Sequence, residues 1–281
     1  MSATFTVGQY EVTELVDGTG HLPLSAYPGA DFAAYPELVD PSGFVEIRIG
    51  AYLVRGEGVT MLIDAGGGPR RLPFPAELAG NASHPPRFIL DSGHLLDAMA
   101  DVGVSPADID AILLTHLHLD HVGWLMSGGS PTFPRADVYF GDADWETLVS
   151  GADPSDPARD ILVTAENAGI LHPYGGPDVE IAPGVRAIPS PGHTPGSHVI
   201  EIRSGGEELL FTGDLIEHPG QLENESIDFM TDMDRVTARS ARAALWGRAK
   251  GRPVTIVTAH VPGPVFRRVD ADGSWADATQ D

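Results

Sequence analysis

From residue 4 to 18, TFTVGQYEVTELVDG alternates apolar and polar positions with a period of two, the rhythm of a half-buried strand. FVEIRIGAYLVRGEGVTMLIDAGGG (44–68) predicts three short β-rich runs separated by turn residues, and HLPLSAYPGADFAAYPELVDPSG (21–43) predicts a long loop carrying aromatics. LDSGHLLDAMADVGVSP (90–106) predicts a helix capped by Asp91 or Ser92 and stopped at Gly103. AILLTH (111–116) is a continuous apolar run, the kind a fully buried strand presents.

Beyond residue 135, ADVYFGD predicts a strand, and GDADWETLVSG and DPARDILVTAENAG predict helices. VEIAPGVRAIPSPGH, HVIEIRSG and EELLFTGD predict further strands. TDMDRVTARSARAALWGRAKGR is the clearest amphipathic helix of the C-terminal part, and VTIVTAH follows it as a last buried strand. Two β-rich halves, each closing with a helix and then a strand, predict a sandwich of two mixed sheets with helices on the outer faces. No stretch has the composition of an interdomain linker. Residues 1–281 are therefore expected to form a single domain, with a helical excursion around 124–183.

Composition narrows the functional classes. A length of 281 residues and 42% hydrophobic content support a sizeable core. The formal net charge of -23 disfavours nucleic acid, whose phosphates an acidic surface repels. No run of 18 apolar residues predicts a membrane helix. The opening MSATFTVGQYEV has neither the basic nor the apolar region of a secretory signal, so a cytoplasmic protein is expected. The chain has no cysteine, so any metal site must be built from imidazole and carboxylate.

One segment gathers such groups. LLTHLHLDHVGW places His116, His118, Asp120 and His121 within six residues. On a helix, positions two apart diverge; on a loop leaving a strand, His116 and His118 can point the same way. Asp120 and His121 can then turn to a second position beside the first, and Gly123 permits a sharp turn or a close backbone approach. Three more candidates recur where apolar runs end: His193 in SPGHTPGSH, Asp214 in LLFTGD and His260 in VTIVTAH. If those strands lie side by side, their ends converge on one edge of the sandwich. The arithmetic suits two metals: His116, His118 and His193 for one, Asp120, His121 and His260 for the other, and Asp214 between them. Open positions for water on such ions are the mark of a catalytic rather than a structural site.

This pattern, with LIDAG (62–66), PGHTPGS (191–197) and FTGD (211–214), resembles the metallo-β-lactamase superfamily of hydrolases over roughly Tyr10 to Phe266. The resemblance implies a four-layer αββα sandwich with two divalent metal ions at one edge. Zn2+ is the expected ion, with Mn2+, Fe2+ or Co2+ as alternatives. It further implies a metal-bridging hydroxide that attacks an ester, with Asp120 orienting it and moving its proton. Asp64 is expected to support a ligating imidazole, and Thr115 to brace the loop. Ser197 is expected to hold a turn. His198 and His218 are expected near the ligands as supporting or pocket-wall groups.

Among subgroups, N-acyl homoserine lactone lactonases share the seven-residue set and its spacing, but carry a tyrosine just after the bridging aspartate. Here Glu217 or His218 occupies that neighbourhood, in GDLIEHPGQ. Methyl parathion hydrolase-like members are similar in THLHLDHVG. They imply an aromatic pocket, for which Phe32 and Trp124, with Tyr27, Tyr35 and Phe44, are the candidates. The expected activity is opening of a lactone or cleavage of a carboxylic ester. Hydrolysis of aryl esters or organophosphate triesters is the first alternative, and a non-hydrolytic oxygenase or natural-product tailoring enzyme the second. The expected partner is a small-molecule substrate, with no nucleic acid and no membrane; the sequence also admits a homodimer.

Overall fold

The computed structural model describes residues 2–80, 82–176, 178–269 and 275–278. Strands β1 (Thr4–Val7), β2 (Tyr10–Pro23), β3 (Phe44–Gly56), β4 (Val59–Ile63), β5 (Arg71–Pro73), β6 (Phe88–Ser92) and β7 (Ala111–Leu113) build most of a first sheet. After a small hairpin of β8 (Met126–Ser127) and β9 (Ser130–Pro131), β10 (Asp137–Phe140) and β11 (Leu171–Pro173) complete it. The second sheet runs β12 (Val179–Ala182), β13 (Val185–Pro189), β14 (His198–Ser204), β15 (Glu207–Phe211), β16 (Val254–Val257), β17 (Phe266–Val269) and β18 (Trp275–Asp277), neighbours in that order. The α-helices are α1 (Ala76–Ala79), α2 (Leu95–Asp101), α3 (Leu119–Val122), α4 (Ala143–Trp145), α5 (Pro157–Asn167) and α6 (Arg235–Ala249).

Both sheets are mixed. β2, β3 and β4 pair antiparallel, whereas β4, β7, β10 and β11 run parallel. In the second sheet β15 and β16 are the parallel pair. Side-chain alternation sorts each strand between two cores. Tyr52, Val54, Met61, Ile63 and Leu113 meet Ile200, Ile202, Leu209, Phe211 and Val257 between the sheets. The intervening Ala51, Leu53, Leu62 and Ile112 turn outward onto α2 and α5. On the far side Val199, Leu210 and Ile256 pack against Leu245 and Ala249 of α6. A strand covered on both faces needs apolar residues throughout, which is why AILL and LLF read as unbroken runs. The result is the αββα sandwich.

The local expectations need four corrections. The region 44–68 forms two strands, because β3 continues unbroken from Phe44 to Gly56 in register with β2. The N-terminal loop begins later than His21, since β2 runs to Pro23, and short 3-10 turns at Leu24–Ala26 and Pro36–Leu38 punctuate it. Asp91 and Ser92 do not cap α2. They pair with Thr19 and Gly18 as strand residues, and the buried Asp17 carboxylate instead accepts the N–H groups of Gly93 and Leu95 at 3.1 and 2.8 Å. VTIVTAH is not the last strand, because β17 and β18 follow it. The 124–183 stretch carries α4 and α5 and also contributes β10 and β11 to the first sheet and β12 to the second.

Candidate metal centre

Register brings the four strand ends together. β7 and β4 finish side by side at Leu113 and Ile63, and β15 and β16 at Phe211 and Val257. The chain leaves β7 into His116 and His118, β15 into Asp214, β16 into His260, and β13 into the turn that holds His193. α3 begins directly after His118, so Asp120 and His121 lie on its single turn. Gly123 ends that turn where any side chain would collide with the backbone of Gly67, and its N–H donates to Gly66 O at 2.7 Å.

The side chains form two adjoining groups. Nε2 of His116 and Nε2 of His193 each lie 3.0 Å from Nδ1 of His118. Tetrahedral imidazole ligands around one zinc ion would sit about 3.3 Å apart, from metal–nitrogen distances of ~2.0–2.1 Å. Nε2 of His260 lies 3.3 Å from Nε2 of His121 and 3.3 Å from Oδ2 of Asp120. Asp214 stands between the groups. Its Oδ2 is 3.3 Å from His193 Nε2 and 3.6 Å from His116 Nε2, while its Oδ1 is 3.2 Å from both His121 Nε2 and His260 Nε2. His116, His118, His193 and Asp214 could hold one ion, and Asp120, His121 and His260 another.

Electrostatics differ between the two groups. Burial, with the neighbouring histidines, holds His116 well below the usual imidazole range and His118 down to about 3, so both keep a free lone pair. Burial opposes charge on His121 and His260, but the surrounding carboxylates, Asp214 foremost among them, together outweigh it and raise both. Burial and Asp214 together push Glu217 well above the usual carboxylate range.

Supporting contacts fix the candidate side chains. Asp64 accepts a hydrogen bond from Nδ1 of His121 at 2.8 Å, from the Thr115 N–H at 2.8 Å and from the Thr115 hydroxyl at 2.9 Å. Asp64 and Thr115 thus lie against the His121 ring. His260 donates from Nδ1 to Arg48 O at 2.6 Å, leaving Nε2 for the centre. Two carboxylates went unnoticed in the sequence. Asp232 lies 3.4 Å from Nδ1 of His193 and is itself paired with buried Arg242 at 3.1 Å. Asp144 stitches the two ligand loops, accepting the N–H groups of Leu117 and Gly196 at 3.2 and 2.6 Å and the Thr194 hydroxyl at 3.0 Å. Both sit in acidic stretches where no periodicity singles them out.

A cavity of about 320 Å³ opens onto His118, Asp120, Asp214 and His260. Leu22, Ile47, Leu117, Leu119, Leu148 and Phe229 give it apolar walls. The aromatic candidates do not border it. Trp124 is in the outer core and donates its indole N–H to Asp17 at 2.8 Å. Phe32 packs edge-on against Tyr27 and His218, with ring centres 5.6 and 5.3 Å away, and Tyr35 against His218 at 4.8 Å. Phe44 packs on Phe74. His198 donates its backbone N–H to Thr115 O at 2.8 Å, directly before His116, while its ring bonds Gly196 O and packs tilted against Tyr174 at 4.6 Å. Ser197 holds the turn by accepting the Thr194 N–H at 3.0 Å.

Comparison with known proteins agrees with this architecture. Residues 49–260 match the sequence model of the metallo-beta-lactamase superfamily. An N-acyl homoserine lactonase of Bacillus sp is 26% identical over 189 residues, covering 64% of this chain and 69% of that protein. N-acyl homoserine lactonase AiiB of Agrobacterium fabrum is 33% identical over 86 residues, 29% of this chain and 30% of that protein. Among solved structures, the dizinc quorum-quenching lactonase AidC superposes with a TM-score of 0.78 at 22% identity, covering 100% of this chain and 98% of that one. Among the described residues no helix is long and apolar enough to cross a membrane.

Proposed function

The chain belongs to the metallo-β-lactamase superfamily, and on that premise we propose that it is a dinuclear metal-dependent hydrolase that opens a lactone or cleaves a carboxylic ester of a small molecule. The whole chain is read as one domain. The observation that carries the proposal is the placement of Asp214, with one carboxylate oxygen facing His116 and His193 and the other facing His121 and His260. A single ion would use only one of these faces.

When bound, two divalent ions would supply Lewis acidity and lower the pKa of a coordinated water to near neutrality. His116, His118 and His193 would hold one ion, Asp120, His121 and His260 the other, with Asp214 shared. The imidazole-rich first position suits Zn2+, and neither position offers a thiolate. Asp120 is 25% exposed and borders the cavity, so its carboxylate can orient the attacking water and take up its proton. Leu22, Ile47, Leu117, Leu119, Leu148 and Phe229 would receive an acyl chain and exclude water from the reacting carbonyl. The curated relatives described above are N-acyl homoserine lactonases, which favours a lactone within the ester class.

The test combines metal content with a substrate panel. Protein purified without added metal should carry two divalent ions per chain. Acyl homoserine lactones, aryl esters and phosphotriesters assayed on the zinc and manganese forms should give highest kcat/KM with a lactone. A phosphotriester or aryl ester preference would replace the lactone reading. Iron as the resident metal, with no hydrolysis of any panel member, would overturn the hydrolase.

A further inference from the structure

Glu217 is a carboxylate without an explanation in the constellation above. It follows Asp214 by three residues, just past the 3-10 turn Gly213–Leu215. Its backbone is pinned, because the N–H groups of Glu217 and His218 both donate to the Gln221 side-chain oxygen, at 2.8 and 3.1 Å. Its side chain is not pinned. The residue is 2% exposed, and neither Oε1 nor Oε2 has a hydrogen-bond partner. Removing a carboxylate from water without a donor or a cation costs several kcal/mol, so such groups are normally neutralised or bound to metal. No lysine or arginine ion pair reaches it among the described residues. The groups that do approach it are Asp214 and His260: the three offer ligand atoms that all lie within 4.8 Å of one another.

We propose that Glu217 is a further oxygen ligand of the ion held at the His121 and His260 position. The inference rests on the dinuclear reading above. The two positions then differ in kind. The first offers three imidazoles and one oxygen of Asp214; the second offers two imidazoles and oxygens from Asp120, Asp214 and Glu217. Carboxylate oxygens suit harder ions and higher coordination numbers, so the second position should accept Mn2+ or Co2+ more readily than the first. The two ions would accordingly exchange independently.

The experiment is metal binding by the full chain, with E217Q as the variant because it keeps the shape and removes the charge. Metal-free protein is titrated with Zn2+, and separately with Co2+ while the visible absorption is followed. The wild type should take up two ions. E217Q should bind the first unchanged and the second at least about 10-fold more weakly. The Co2+ bands of the second ion should intensify as its coordination number drops. Two ions bound by E217Q with wild-type affinities and spectrum would overturn the role of Glu217 while leaving the dinuclear reading intact. A wild type that binds a single ion would overturn both. If E217Q does not fold, a crystal structure of zinc-loaded wild type decides the matter: an Oε atom within about 2.2 Å of the second ion supports the assignment, and one beyond contact distance refutes it.

Discussion

Asp64 Oδ2 stands 2.8 Å from Nδ1 of His121, and that bond leaves Nε2 of the ring facing Asp214 and His260. Asp64 adopts a left-handed backbone, with φ of 60°, directly after β4. Asparagine tolerates that conformation, so Asp64→Asn removes the charge with little backbone cost. Loss of such a supporting carboxylate typically weakens metal binding about 10–100-fold. Chelator competition should find that loss in the second ion and not the first. Equal affinities in variant and wild type would mean that Thr115 alone orients the ring.

Asp17 does the same service for the fold. It is fully buried, and it accepts the N–H groups of Gly67, Gly68, Gly93 and Leu95 as well as the indole N–H of Trp124. Asp17→Ala would orphan four buried donors, each worth about 1–3 kcal/mol if left unpaired, while the Gly93 N–H keeps the Asp17 carbonyl at 3.0 Å. Local relaxation and water will recover part of this, so the expected loss is at least about 3 kcal/mol. It is read as a lowered midpoint of urea unfolding followed by tryptophan emission. A change below about 1 kcal/mol would show that water replaces the carboxylate.

These two aspartates mark the boundary of what the sequence discloses. Asp64 was legible because it ends an apolar run, as Asp214 and His260 do, and strand ends in a sandwich converge. The dense His116–His121 segment was legible because its spacing is local. Asp17, Asp144 and Asp232 were not, because each acts on partners far along the chain: Trp124 for Asp17, Thr194 and Gly196 for Asp144, His193 for Asp232. The pocket suffered from the same long reach. Aromatics were expected to line it, but Trp124 is claimed by Asp17 and Phe32 by His218, while Leu22, Ile47 and Phe229 come from three distant segments. For the same reason the cap of α2 was misplaced: β2 supplies it from another sheet position.

Single ligand removals should separate the two metal positions. His260→Ala should leave one tightly bound ion, since His116, His118 and His193 are untouched. Asp214→Ala should weaken both ions because its two oxygens face both sets. Turnover should fall below detection in His116→Ala and Asp214→Ala. Elemental analysis beside a hydrolysis assay checks this, and full activity in either of those variants would sink the mechanism.

The cavity makes a prediction about chain length. Each methylene buried against Leu119, Leu148 and Ile47 should contribute about 0.8 kcal/mol, or roughly fourfold in kcat/KM, until the 320 Å³ is filled. Leu148→Trp should move the optimum toward shorter acyl chains without altering metal content. A series of acyl homoserine lactones assayed on both proteins tests it. A flat response in the wild type would place the acyl group elsewhere.

His218 should leave a pH signature in stability. Phe32, Tyr35 and Tyr27 surround its ring, Nδ1 accepts the Gly220 N–H at 3.1 Å, and Nε2 has no partner. Burial pushes it down to about 4, against a weak opposing pull from Glu37. In the unfolded chain its pKa returns to about 6.5. Between those values the unfolded state binds the extra proton, so this contribution to stability is present above pH 6.5 and is lost as pH falls from 6.5 through 4. The slope is at most about 1.4 kcal/mol per pH unit. His218→Asn cannot titrate but keeps an acceptor for Gly220. Unfolding of the metal-free proteins, measured from pH 7 to pH 5, should therefore show the wild type losing ground to the variant as pH drops. Parallel profiles would mean that water reaches the ring and that the aromatic surround does not desolvate it.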